Sequence, residues 1–206
     1  MTKFARDERS CLCDLFERLG PDAPTLCEGW STRDLAAHLY IREARPDAAA
    51  GILLRPLAPR TERVQAEAAG RAWGELVGAV RSGPPSLLRP VDEAMNTVEY
   101  FVHHEDVRRA QPDWEPRQLD PAMEDSLWRR LRTVGRLMFR RAGVTVELAA
   151  PGHTPVRVGS GTDTVRASGS PSELVLFGFG RGAHTRVGLD GPEDATERLR
   201  SAPLGL

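Results

Sequence analysis

The sequence predicts an α+β protein: an N-terminal four-helix bundle, then a bridging helix and a small C-terminal α+β module. Three observations carry this. Apolar residues recur at spacings of three and four in five segments before residue 142. After Gly143 the pattern switches to alternation, with a period of two. Clusters of Pro and Gly at 20–30, 82–85 and 111–116 punctuate the segments. The break at 111–116 suggests two domains, a helical bundle over 1–115 and the bridging helix with the α+β module over 116–206.

The first helix is expected over 3–19, where Phe4, Leu12, Leu15, Phe16 and Leu19 form a stripe that Gly20 and Pro21 end. Cys11 and Cys13 fall two apart, on different faces, so regular helix geometry does not let them share one metal. Residues 20–30 form a structured loop, pinned to the core by Leu26 and Trp30. Cys27, just before the next helix, reads as either a reactive thiol or a small structural residue. Ser31-Thr32-Arg33-Asp34 is a capping box, with Trp30 as its apolar staple. The helix it opens runs toward Pro46 and carries His38 about two turns in, between Ala37 and Leu39, which suggests an inward His. A continuation over 44–54 is open at this stage, and 55–59 reads as a linker. A third helix is expected over 61–80, stopped by Ser82-Gly83-Pro84-Pro85.

The fourth helix, 91–110, concentrates the chemistry. Within it Glu99, His103 and Asp106 share one face, because residues three, four and seven apart stack on a helix. Glu and His four apart can grip one divalent ion if a third ligand comes from elsewhere. The same pattern also suits a partly solvated bundle helix with a hydrogen-bonded His. His104 lies about 100 degrees round from His103, which favours packing or the rim of a cleft over ligation. Glu105, Arg108 and Arg109 are expected in solvent or at the domain junction, with Arg42 and Glu43 at the rim beyond His38.

The bridging helix spans 120–141, with Asp120 as N-cap and Pro121 at its first position. Strands are expected at 144–148, 154–158, 164–167 and 186–189. Ser170-Pro171-Ser172-Glu173 opens a short helix to Phe177, and 195–199 closes the module with another. The glycines near 159–161 and 178–182 lack a complete phosphate-binding motif and read as turns.

Composition excludes several classes. The 206 residues suffice for a core without disulfide or metal staples. A formal charge of -1 from 28 basic and 29 acidic residues argues against nucleic acid as a partner. No apolar run reaches membrane-spanning length, and the N-terminus is charged from Lys3 onward, so neither a membrane partner nor a leader is expected and the location reads as cytoplasmic. The 3 cysteines do not describe a disulfide scaffold. A homodimer stays open.

Gly29-Trp30-Ser31-Thr32-Arg33-Asp34-Leu35-Ala36-Ala37-His38-Leu39, followed by Glu99-x-x-x-His103, resembles the DinB-like, mycothiol-dependent maleylpyruvate isomerase superfamily. Residues 22–30, 42–51 and 101–110 are similar, more narrowly, to an actinobacterial metal-binding branch of it. The resemblance spans nearly the whole chain. It implies a DinB-like four-helix bundle and a metal site made by His38, Glu99 and His103, with a divalent ion, usually zinc, and water completing the shell. Three such ligands leave an open position, as in catalytic zinc sites. It also implies a small thiol, mycothiol, added to a small electrophilic substrate, and a C-terminal basic residue for which Arg181 and Arg186 are candidates. Asp106 then becomes either a residue that orients a ligand ring or water or a member of a solvated salt bridge, and Arg42 or Arg109 one that holds a carboxylate of cofactor or substrate.

The leading expectation is a metal-dependent thiol transferase or isomerase. The alternatives are a metal-binding protein without turnover and a metal-assisted hydrolase with Asp106 or His104 as the base.

Overall fold

The computed structural model describes residues 4–45, 58–84 and 89–205. The chain forms two compact units, Met1–Trp114 and Glu115–Leu206.

The first unit is the helical bundle: α1 (Phe4–Leu19), α2 (Thr32–Ala44), α3 (Ala58–Ala69), α4 (Trp73–Ser82) and α5 (Arg89–Arg108). The third expected helix is in fact two. Gly70 and Arg71 close α3 with bonds back to the Ala66 and Ala68 carbonyls, and Ala72 then caps α4. The apolar spacing continues across this break, so periodicity alone does not mark it, while the weak helix preference of Gly70 permits it. Ala58 and Pro59, read as linker, instead open α3, where a proline in the first turn leaves no bond unmade. The extension beyond Pro46 and the rest of that linker lie outside the described residues.

Helix α1 packs on α4 and α5, while α2 packs on α3 and α4. The core between them holds Leu12, Phe16, Leu35, Leu39, Leu76, Val77, Tyr100 and Val107, all fully buried. Burying such side chains is the main favourable term for a bundle whose helices are only three to five turns long. Gly20, in the left-handed region at φ 83°, ends α1 with its amide on the Phe16 carbonyl.

The second unit holds α6 (Pro121–Met138), β1 (Thr145–Ala149), β2 (Val156–Gly159), β3 (Thr164–Ser168), α7 (Pro171–Gly178), a 3-10 turn at Gly182–His184, β4 (Gly188–Asp190) and α8 (Glu193–Ser201). The caps sit where the sequence places them: the Asp120 and Ser170 side chains accept from the amides of Ala122 and Glu173, with proline following each. The sheet order is β2-β1-β3-β4. The β1–β3 pair is parallel and the two outer pairs are antiparallel. Val146, Leu148, Val158, Val165 and Ala167 are buried, which accounts for the alternation seen in the sequence. Helix α6 lies against β2 and can do so because Gly135 has no side chain: a Cβ there would stand 3.1 Å from Val158. The expected glycine-rich turns follow β2 and α7.

Among the described residues no helix is long and apolar enough to cross a membrane.

Candidate metal centre

The centre is assembled from α2, α5 and the loop before α2. The capping box fixes where α2 begins: the Ser31 amide and hydroxyl bond Asp34 at 2.9 and 2.7 Å, and the Ser31 side chain accepts in turn from the Asp34 amide. That start sets His38 two turns later, against the Trp30 indole with ring centroids 5.1 Å apart. The loop is tied to the first turn of α2, whose Thr32 and Arg33 amides donate to the Ala23 and Pro21 carbonyls, and it is also held by its own bonds and by α5. The Thr25 hydroxyl donates to the Trp30 carbonyl and accepts from the Cys27 amide. The Leu26 amide donates to the Asp106 carbonyl at 3.0 Å, so Leu26 holds the loop to α5 through its backbone, while Trp30 packs on the core.

On α5 the helical repeat presents Glu99, His103 and Asp106 on one side. His38 meets that side: its Nε2 is 3.6 Å from Glu99 Oε1, and His103 Nε2 is 3.3 Å from the same oxygen. The two imidazoles stand edge to face at 5.5 Å. One ligand atom from each of His38, Glu99 and His103 lies within 4.8 Å of the others. A tetrahedral ion holding nitrogen and oxygen at about 2.1 Å sets its ligand atoms about 3.4 Å apart. The two His–Glu separations match that edge, so the residues present fit a zinc-like divalent ion.

Arg42, one turn beyond His38, also reaches the cluster. Its Nε donates to Glu99 Oε1 at 3.1 Å and its Nη1 to Asn96 Oδ1. Glu43, expected at a rim, is instead buried against Arg9 at 2.6 Å, and Asn96 Nδ2 donates to the same carboxylate. A polar chain therefore runs from Arg9 of α1 through Glu43, Asn96 and Arg42 to Glu99.

The electrostatics follow from this crowding. Burial alone would raise Glu99, but hydrogen bonds from His103 and His38, with the charges of His103 and Arg42, hold it well below the ordinary carboxylate range. Burial lowers His38, and its bond to Glu99 only partly offsets this. His103 is also penalised by burial, yet bonds to Asp106, Cys27 and Glu99 raise it well above the usual imidazole value.

Asp106 is wholly buried and accepts from His103 Nδ1 at 3.0 Å. It also accepts from the Cys27 thiol at 3.2 Å, and Cys27 Sγ lies 3.8 Å from His103 Nδ1. Asn96, Glu8 and Arg9 are the participants that sequence reasoning left out, while Cys27, singled out there as a loop thiol or small structural residue, was not joined to Asp106. Asn96 carried a signal, since it stands three residues before Glu99 on the same helix face. The other long-range partners carried none.

His104 and Arg109 are placed elsewhere. His104 Nδ1 bonds Glu8 of α1 at 2.7 Å, both side chains being buried. Arg109 Nε bonds Glu105 at 2.6 Å, and its guanidinium lies 4.7 Å from the Trp114 ring centre. Glu105, expected in solvent or at the domain junction, is buried and also accepts from Arg108. These charges sit inside the fold because they neutralise one another locally. In the second unit, the Arg181 guanidinium donates to the Phe179 carbonyl, and the Arg186 amide to Glu173.

Neither a family model nor a curated protein matches the chain. Two solved structures do. One is a histidine-to-alanine variant of the mycothiol-dependent maleylpyruvate isomerase, at TM-score 0.62 and 16% identity, covering 91% of this chain and 90% of that one. The other is that isomerase itself, at TM-score 0.54, with the same 16% identity and the same 91% and 90% coverage. This chain shares that isomerase's fold. At such identity the likeness concerns architecture alone: a helical bundle followed by a small α+β module.

Proposed function

We propose that this chain is a zinc-dependent enzyme that joins a small thiol, mycothiol, to a small electrophile, as a transferase or an isomerase. His38, Glu99 and His103 hold the metal, and the narrower likeness to an actinobacterial metal-binding branch belongs with this reading. The observation that carries it is the convergence of two imidazoles and one carboxylate from two helices at tetrahedral-edge spacing.

Bound zinc would supply Lewis acidity at an open fourth position, where it favours the thiolate form of a thiol. The chain's own residues do the rest. Asp106 accepts a hydrogen bond from the Nδ1–H of His103, which fixes the tautomer and leaves the Nε2 lone pair for the metal. His38 is kept neutral by burial and so keeps its lone pair. Glu99 stays ionised, held there by its neighbours. Arg42 lies on Glu99 and is the cation best placed to receive a carboxylate of the substrate or cofactor. Arg109 and His104, committed to Glu105 and Glu8, have no part in this reading. A reducing, cytoplasmic setting goes with it, and the three cysteines are free thiols.

The Arg42–Glu99 contact also favours a second reading, metal binding without turnover, in which the guanidinium shields the carboxylate from substrate. One assay separates the two. Zinc-loaded protein is incubated with mycothiol and a panel of small electrophiles, and thiol consumption is followed. The enzyme reading expects consumption that His38→Ala abolishes. Zinc retention without consumption supports the second reading.

A further inference from the structure

The His103 ring faces two groups of donors, one through each nitrogen. Through Nε2 it meets Glu99 and His38. Through Nδ1 it meets Asp106 and Cys27. The second group is also a set of three donors whose atoms lie within 4.8 Å of one another. We propose that Cys27, His103 and Asp106 form an alternate seat for a soft, thiophilic metal ion of the cadmium class, and that occupancy of this seat and of the His38–Glu99–His103 seat is mutually exclusive.

The geometry supports the seat. Zinc, with sulfur at about 2.3 Å and nitrogen or oxygen at about 2.1 Å, sets its sulfur-to-nitrogen edges near about 3.6 Å, and a cadmium-class ion is larger. The Cys27–His103 separation of 3.8 Å suits such an ion as it stands. The Cys27–Asp106 and His103–Asp106 edges, at 3.2 and 3.0 Å, are hydrogen bonds that lengthen when the ion replaces their protons. Cys27 is held in place by its backbone bond to Thr25, and Leu26 is tied to Asp106. On binding, the Cys27 thiol and His103 Nδ1 each release a proton to solvent, and thiolate, imidazole and carboxylate then surround the ion. Thiolate selects soft ions, whereas the nitrogen and oxygen donors on the other side suit harder ones.

Exclusion follows from the imidazole. A neutral ring has one free lone pair. An ion at Nε2 leaves the proton on Nδ1, where Asp106 accepts it. An ion at Nδ1 leaves the proton on Nε2, where Glu99 Oε1 stands 3.3 Å away to accept it. Each seat's carboxylate therefore serves as the proton acceptor when the other seat is filled. The exclusion rests on the proposed His38–Glu99–His103 site, whereas the thiolate seat stands without it.

The test is a cadmium titration of the reduced protein, followed by the ultraviolet thiolate-to-cadmium charge-transfer band. Wild-type protein and His38→Ala should both develop the band and saturate at one equivalent. Cys27→Ser should lose the band, and Cys27→Ala serves as the second variant, with circular dichroism confirming that each is folded. Absence of the band from His38→Ala, or its survival in both Cys27 variants, overturns the seat. Two equivalents bound by wild-type protein overturns the exclusion. Failure of the first metal site reads out separately, as zinc content unchanged by His38→Ala in the Cys27→Ser background, where the thiolate seat is removed.

Discussion

Helix α5 carries two adjacent histidines with opposite surroundings. His103 stands among His38, Glu99, Cys27 and Asp106, whereas His104 is locked onto Glu8 of α1. One residue step turns the side chain about 100 degrees, and that turn decides which helix it meets. On one side α2 offers another imidazole and a cation. On the other, α1 offers a carboxylate that engages the Nδ1 of the ring. A titratable residue's role in a bundle is thus set by what the facing helix presents, more than by its own type.

The comparison breaks most visibly if the two rings are removed in turn. His103→Ala should weaken zinc binding by more than about a hundredfold, because loss of an outer partner alone costs about 10–100-fold. His104→Ala should leave zinc affinity unchanged. Competition with a chromophoric chelator measures both. Asp106→Asn sharpens the same side: it keeps the shape but weakens the acceptor for Nδ1–H, so zinc affinity should fall about 10–100-fold. An unchanged affinity would reduce Asp106 to a packing residue.

On the opposite face the expected effect is on stability. His104→Ala removes a buried hydrogen-bond partner of the Glu8 carboxylate, which should cost about 1–3 kcal/mol in urea unfolding. Glu8→Gln should restore part of that loss in the double variant.

A smaller effect concerns acid. Glu99 is depressed in the folded state, so its stabilising contribution is present above the unfolded value near 4.5 and is lost as pH falls through the lower, folded value. Metal-free wild-type protein should lose more stability below pH 4.5 than Glu99→Gln does. Parallel acid-unfolding curves for the two would contradict the assignment.

The smallest effect repeats the lesson on α1. Cys11 is exposed, whereas burial pushes the Cys13 thiol up to about 12. Iodoacetamide should label Cys11 first and Cys13 only on unfolding, as peptide mass mapping would show.

Much of this was legible in the chain because it is local. The Ser31–Asp34 box, the Asp120 and Ser170 caps and the Glu99–His103–Asp106 face are all set by spacing within one helix or its first turn. The angle between His103 and His104 was likewise readable, but not that Glu8 would meet His104, because that pairing spans α1 and α5. Cys27 was visible as a loop thiol, yet its contact with Asp106 depends on how the loop folds across α5. The division of the third helix at Gly70 was hidden because the apolar spacing persists on both sides. Burial of Glu105 and Arg109 was missed for a related reason: charge predicts exposure until a partner on the next turn and an aromatic face remove the penalty.

The most direct test of the central claim is zinc content. Wild-type protein, His38→Ala, His103→Ala and His104→Ala are loaded with zinc, dialysed and measured by elemental analysis. The account predicts one equivalent in wild-type and His104→Ala protein and almost none in the other two. Equal zinc in all four would contradict it.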